Sequence, residues 1–291
     1  MKKIFTLFVA LVAAISVAKA EIHVGFAHEV GAEVVSSYIW RGQYNGGLAI
    51  QPTVSVGFDG ILTSFRIGAW GNIGSSDWMF KKDQGDGTGF TRFQPELDII
   101  GSFSIIGLSV GFNHYYYCDG SNFFSWENAQ KIYESGNTST TEIWIGYNFC
   151  HFFNHGAYIN WYTTVAGNDI LVSSITGKAY RAWSSYLEIG YDYTFESVGV
   201  TIGAQVGMSP WKSDLYGNSK FAVVNVSASI HKEWEFEHVT LDLFGTGSIN
   251  PDGMVTDPKD PDYNVVLWKA AGDDKLYCQK LNGTIGLGIW F

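Results

Sequence analysis

The sequence predicts an all-β chain: an antiparallel transmembrane β-barrel of about twelve strands. Three observations carry this. Apolar and polar residues alternate with period two through most of the chain. The connections between alternating stretches are short and long by turns, as in a barrel with tight turns at one end and loops at the other. The chain also ends on such a stretch, Asn282–Phe291, with Ile285, Leu287, Ile289 and Phe291 on one face and Thr284, Gly286 and Gly288 on the other; Trp290 breaks the pattern.

The N-terminus reads as a secretory signal peptide over residues 1–20. Lys2 and Lys3 form the positive start, Phe5 to Val17 is nearly all apolar, and Ala18-Lys19-Ala20 is a small-x-small cleavage site. The apolar run is shorter than the ~20 residues of a spanning helix, and no Cys follows the cleavage site. Residues 21–291 then form one domain. Export leaves 15 basic residues, since Lys2, Lys3 and Lys19 are lost, against 28 acidic ones. That balance excludes a nucleic-acid partner, which needs a basic footprint. Aromatics reach 16% and charged residues only 16%, where about 25% charged is usual. With no spanning helix after residue 20, so apolar a chain must bury its apolar faces in a core or show them to lipid.

Taken in order, Val34–Gly42 is the expected first strand, with Glu21–Glu33 an extra strand or a lead into it. Gln43–Gly47 reads as a turn. Ala49–Asp59 alternates cleanly, although Pro52 lacks a donor and calls for a bulge or an edge-like end there. Leu62–Ile73, Phe93–Ile105, Leu108–Tyr117, Thr140–Cys150 and Gly156–Ala166 follow. Tyr180–Phe195 and Val198–Met208 are the clearest strands, and the second carries no charge. Lys220–His231, Val239–Gly247 and the terminal strand complete the set. Short connections fall near 60, 106, 153, 196 and 234; long ones fall near 83, 128, 173, 214 and 262. In a bacterial outer membrane the short set would be periplasmic turns and the long set extracellular loops. No helical period appears. A secreted β-sandwich also alternates, but predicts neither this rhythm nor so little charge on an exposed face.

Two resemblances add to this. The Lys-started signal and aromatic last residue resemble bacterial outer-membrane barrels, whose terminal strand carries an assembly signal; here that implies Ile285, Leu287, Ile289 and Phe291. The stretch Ser36-Ser37-Tyr38-Ile39-Trp40-Arg41-Gly42, followed by Ala49–Phe58, resembles a conserved hypothetical (Gcw_chp-like) family of outer-membrane proteins with an S-x-Y-hydrophobic-aromatic-R-G first strand and a terminal Phe. The likeness is sharp over residues 36–58 and at the last strand. It implies an outer-membrane barrel, reached through the export and barrel-assembly machinery and held in outer-membrane lipid, and no particular reaction.

If the apolar faces meet lipid, the lumen receives Arg66, Glu96, Asp98, Glu142, Glu188, Asp192, His231 and Asp242. An acidic lining favours cations; alternatively the charges pair and plug a narrow barrel. Arg66 lies one strand from Glu96 and Asp98, so a pair there is expected. Six acids against one base cannot all be neutralised internally, and unpaired buried carboxylates cost several kcal/mol each. Either water and mobile cations reach them or a basic loop folds in, for which Lys81, Lys82 and Arg92 are candidates. Arg41, at the end of the expected first strand, is placed at the rim beside a loop acid, or bound to a lipid phosphate or carboxylate.

No cofactor or metal is expected. Asp257, Asp260 and Asp262 lack the D-x-D-x-D-G calcium pattern. None of the seven histidines lies in a serine-hydrolase motif such as G-x-S-x-G, so no catalytic residue is assigned and a lipid-modifying barrel enzyme is a minor alternative. Trp78, Met79 and Phe80 form either a surface patch or a packed loop core. Cys118 and Cys278 both fall near loops, so a disulfide between them is open, while Cys150 reads as a small apolar residue. The expected function is a narrow channel for small solutes or cations; the alternative is a plugged barrel with a structural or interaction role.

Overall fold

In this computed structural model the described residues are 25–60, 63–75, 93–149, 156–251 and 281–291. The signal-peptide reading, Cys150, Cys278, Asp257, Asp260, Asp262 and residues 78–82 and 92 lie outside them.

Twelve strands close into an antiparallel barrel. In chain order its wall is β1 (Phe26–Val35), β4 (Ala49–Asp59), β5 (Thr63–Ser75), β6 (Phe93–Ile105), β7 (Leu108–Tyr116), β8 (Thr140–Asn148), β9 (Gly156–Gly167), β12 (Ser185–Phe195), β13 (Val200–Ser209), β14 (Ala222–Glu235), β15 (Thr240–Ile249) and β16 (Leu281–Trp290). Each wall strand pairs with the next, and β1 closes the ring on β16 from Gly31↔Trp290 to Val35↔Gly286. Two small hairpins stand outside the ring: β2 (Tyr38–Trp40) with β3 (Gln43–Gly46), and β10 (Ile170–Val172) with β11 (Ala179–Arg181).

Period two decides which face is which. On β12, Ile189, Tyr191, Tyr193 and Phe195 are exposed on the outside, while Glu188 and Asp192 alternate inward with them. On β16, Ile285, Leu287 and Ile289 are exposed outward, with Phe291 exposed just beyond the strand. Near the long-loop end of the interior, Tyr186, Tyr216, Ala222 and Val224 form a buried cluster with Trp40, Tyr162 and Leu215 packed on it.

The first strand differs from expectation. β1 is Phe26–Val35, not Val34–Gly42, and its outward residues include His28 and Ala32. Those weaken the strand signal, which the aromatic and β-branched run Tyr38-Ile39-Trp40 carries more strongly. The expected strand is instead mostly the β2–β3 hairpin, which leaves the wall after Val35. Other differences are smaller. β14 runs on through Lys232–Glu235, so the turn after it is 236–239. Residues 179–181 belong to β11 rather than to β12. One short helix, α1 (Ala129–Ser135), was not expected. Asn128 caps it by accepting the Lys131 N–H at 3.0 Å, and Gly136 ends it with φ +65°. The β4–β5 ladder is interrupted at Gln51 and Pro52 but keeps its register from Ile50↔Ile73 to Thr53↔Trp70, so the missing donor is accommodated without the expected bulge.

Short connections and both chain ends of the barrel lie at one end; the long connections lie at the other. The tightest is Ile106-Gly107, with φ of +49° and +80°, angles that match the twist of the strands it joins.

Candidate lumen site

The site begins at a second turn with nearly the same backbone. Arg41 and Gly42, between β2 and β3, have φ of +48° and +80°. Gly42 is required twice over: its φ is left-handed, and a Cβ there would meet the Val224 carbonyl oxygen at 2.8 Å. Arg41 has no such licence. A non-glycine residue at positive φ costs about 1–2 kcal/mol, so the side chain must return more than that.

It does so inside the barrel. The hairpin folds into the lumen, held to the wall of β16: Ser37 Oγ donates to the Gly283 carbonyl at 2.5 Å, and Asn282 Nδ2 donates to the Gly42 carbonyl at 2.7 Å. Gln43 Nε2 donates to the Leu215 carbonyl at 3.1 Å. At the tip, Arg41 Nη1 and Nη2 donate to the two oxygens of Glu142 at 2.9 and 2.7 Å, a bidentate fork, and Nη1 also reaches the Tyr216 hydroxyl at 2.6 Å. The guanidinium lies 4.0 Å from the Tyr162 ring centroid and 4.7 Å from those of Trp40 and Tyr186. Both side chains are nearly dry, 10% exposed for Arg41 and 2% for Glu142. Charge-assisted hydrogen bonds of this kind contribute about 1.5–3 kcal/mol each, more than the turn costs.

The wall prepares Glu142 for this. A register shift at Thr141/Glu142 sets Glu142 opposite Thr164 and leaves Val165 as the extra residue of β9. Such bulges re-aim a side chain. Asn113 Nδ2 at 2.7 Å and the Tyr115 hydroxyl at 2.6 Å then donate to Glu142 Oε1. Tyr216 arrives on the connection between β13 and β14. Ser213 Oγ accepts the Tyr216 N–H at 3.1 Å and donates to Ser184 Oγ, which in turn donates to Asp169. Asp169 is fully buried and burial raises its carboxyl above the ordinary range.

Arg41 is therefore not at a rim beside a loop acid. A two-residue turn reverses the chain into the lumen, so the residue expected at a strand's outer end meets the far wall. The expected Arg66 pair also differs: Arg66 bonds Asp59. In register Arg66 faces Ser102, whereas Asp98 faces Trp70, four residues or about 13 Å further along the strand. A basic residue does enter among the acids, but from the β1–β4 connection; Lys81, Lys82 and Arg92 lie outside the described residues.

The other inward acids fall in two groups. Glu96 and Asp98 sit near the long-loop end, 6% and 5% exposed, with Tyr38 of the hairpin close to both. Towards the short-turn end, Asp192, Asp242 and Glu33 approach His231, whose Nδ1 is 3.5 Å from Asp242 Oδ2. Glu188 lies between, beside Tyr158, Tyr186 and Asn160. Glu33 was missed because the first strand was set too late. Beneath the hairpin is a cavity of about 300 Å³ lined by Glu33, Gln51, Trp70 and Asn225. A second, of about 240 Å³, lined by Tyr158, Asp192 and His231, shares Gln205, Ser227 and Thr246 with the first. No group of three potential metal ligands occurs among the described residues. His114 is a packing residue on the outer side: Thr141 and the Phe123 carbonyl occupy its two ring nitrogens.

No family model and no curated protein matches the chain. Solved barrels do align with it. A Salmonella typhi OmpF in complex with daunomycin is 8% identical, with a TM-score of 0.36, over 91% of this chain and 96% of that one. The Pseudomonas putida toluene transporter TodX is 10% identical, with a TM-score of 0.35, over 91% and 89%. A TodX monoaromatic hydrocarbon channel variant is 11% identical, with a TM-score of 0.38, over 92% and 90%. Likeness at this level carries no argument about function, so what the barrel does is read from its own lumen.

Proposed function

We propose that the chain is an outer-membrane β-barrel that admits small solutes or cations to a narrow, acid-lined lumen, with the β2–β3 hairpin as its constriction. The observation that carries this is the hairpin seated across the lumen beside two cavities that share lining residues and have acids, Glu33 and Asp192, in their walls. The continuous exposed apolar face, Phe65 and Ile67 on β5 and Ile143 and Ile145 on β8 among others, supports a lipid surround. Arg41 and Glu142 neutralise each other, so the remaining inward charge is acidic and favours cations. In the conformation described the hairpin is closed. The same closure favours a second reading, a plugged barrel with a structural role.

Planar-bilayer recording on the purified full chain separates them. A channel should show small, cation-preferring currents that rise in Glu142→Gln, which loses the charge that seats Arg41. Silence in both proteins, with the variant correctly folded, would leave the structural barrel.

A further inference from the structure

We propose that the barrel wall around Glu142 is a receptor for a guanidinium-bearing ligand, which Arg41 occupies as an internal stand-in. The proposal rests on the channel reading only for the ligand's role as cargo or opener; the receptor itself is a matter of wall geometry. Five of its residues lie on rigid wall strands: Asn113 and Tyr115 on β7, Glu142 on β8, Tyr162 on β9 and Tyr186 on β12. The occupant lies on a two-residue turn of a hairpin that is not part of the ring. Receptor and occupant thus belong to separate elements.

The chemistry selects a planar, delocalised cation. Glu142 offers two oxygens to a fork, and Asn113 and Tyr115 hold the carboxylate from behind. Tyr162 and Tyr186 present ring faces to the guanidinium. A compact ammonium can take one carboxylate oxygen and one ring but cannot use the fork and the faces together. The backbone does not require arginine here: Ile106 holds nearly the same φ in the β6–β7 turn, and Asn or Gly would satisfy the turn without strain. Arg41 is a tethered occupant, so a free guanidinium ligand has to compete with it, and displacing the tip would loosen the constriction.

The test removes the occupant and keeps the receptor. Arg41→Gly suits the φ of +48° and deletes the guanidinium. Ligand-observed NMR titration of the purified full chain in detergent would use butylguanidine, with butylamine as the control. The expected result is an apparent Kd about tenfold or more lower for Arg41→Gly than for the parent, as mass action against a tethered occupant requires. Butylamine should bind more weakly, and Arg41→Gly with Glu142→Gln should lose the gain. Equal binding by parent and variant, or a gain that survives Glu142→Gln, would overturn the proposal. Should Arg41→Gly not fold, Arg41→Asn makes the same test, since Asn accepts the turn. Binding is read without current, so a barrel that binds butylguanidine but never conducts keeps this inference and loses the channel reading.

Discussion

At the scale of residues, the buried carboxylates divide by what holds them. Glu142 has a guanidinium, an amide and a phenol. Asp169 is held by Ser184, through its backbone N–H at 2.9 Å and its hydroxyl at 2.5 Å, with the Arg181 charge nearby, and burial holds its pKa above the ordinary value. The sign of its effect follows. Between the unfolded pKa near 4 and the raised folded value, the unfolded chain releases a proton that the folded chain keeps, so stability falls as pH rises through that window. Asp169→Asn has no such titration. The difference in Tm between parent and Asp169→Asn should therefore shift against the parent from pH 4 to pH 7; a difference constant with pH would remove this account. Glu188 and Asp192 lie inward without a basic side chain hydrogen-bonded to them among the described residues. If they set the lumen's preference, Glu188→Gln with Asp192→Asn should lower the cation-to-anion permeability ratio measured from reversal potentials, and an unchanged ratio would assign the preference elsewhere.

At the scale of elements, β16 and the β2–β3 hairpin depend on each other. β16 closes the ring on β1, and the Phe291 N–H donates to the Val30 carbonyl at 2.8 Å. β16 also supplies the Gly283 carbonyl and the Asn282 amide that hold the hairpin. Deleting Phe291 removes an outward aromatic and one closing hydrogen bond. The expected outcome is less barrel in the membrane fraction with export unchanged, measured by fractionation and by heat-modifiable mobility on gels. Full assembly of the truncated chain would show that the terminal residue is not an assembly signal.

For the whole molecule, the alternation of connections fixes a sidedness. The short-turn end carries Glu196, and the long-loop end carries Lys131 on α1 and Lys178 before β11, all three exposed. If the long loops face outward from the cell, trypsin added to intact cells should cut at Lys131 or Lys178, and a glutamate-specific protease should spare Glu196. Cutting at Glu196 would reverse the orientation.

What the sequence determined by itself is the wall. Period-two alternation is a local property of each strand; that is why the strand count and the rhythm of connections were legible, although the first wall strand was expected at Val34–Gly42 and lies at Phe26–Val35. Turn chemistry was legible where it is local too, as at Ile106-Gly107. Tertiary structure alone decided what fills the wall. Tyr38-Ile39-Trp40 is an apolar, strand-forming run, and nothing within residues 36–48 says whether the hairpin lies in the ring or across it. That depends on Glu142, about a hundred residues away, on a bulge at Val165 that aims it, and on Tyr216 held by a loop network. A buried ion pair across a lumen is a long-range choice between partners. Local pattern can name the charges, but only closure of the barrel brings Arg41 to the one carboxylate prepared to receive it.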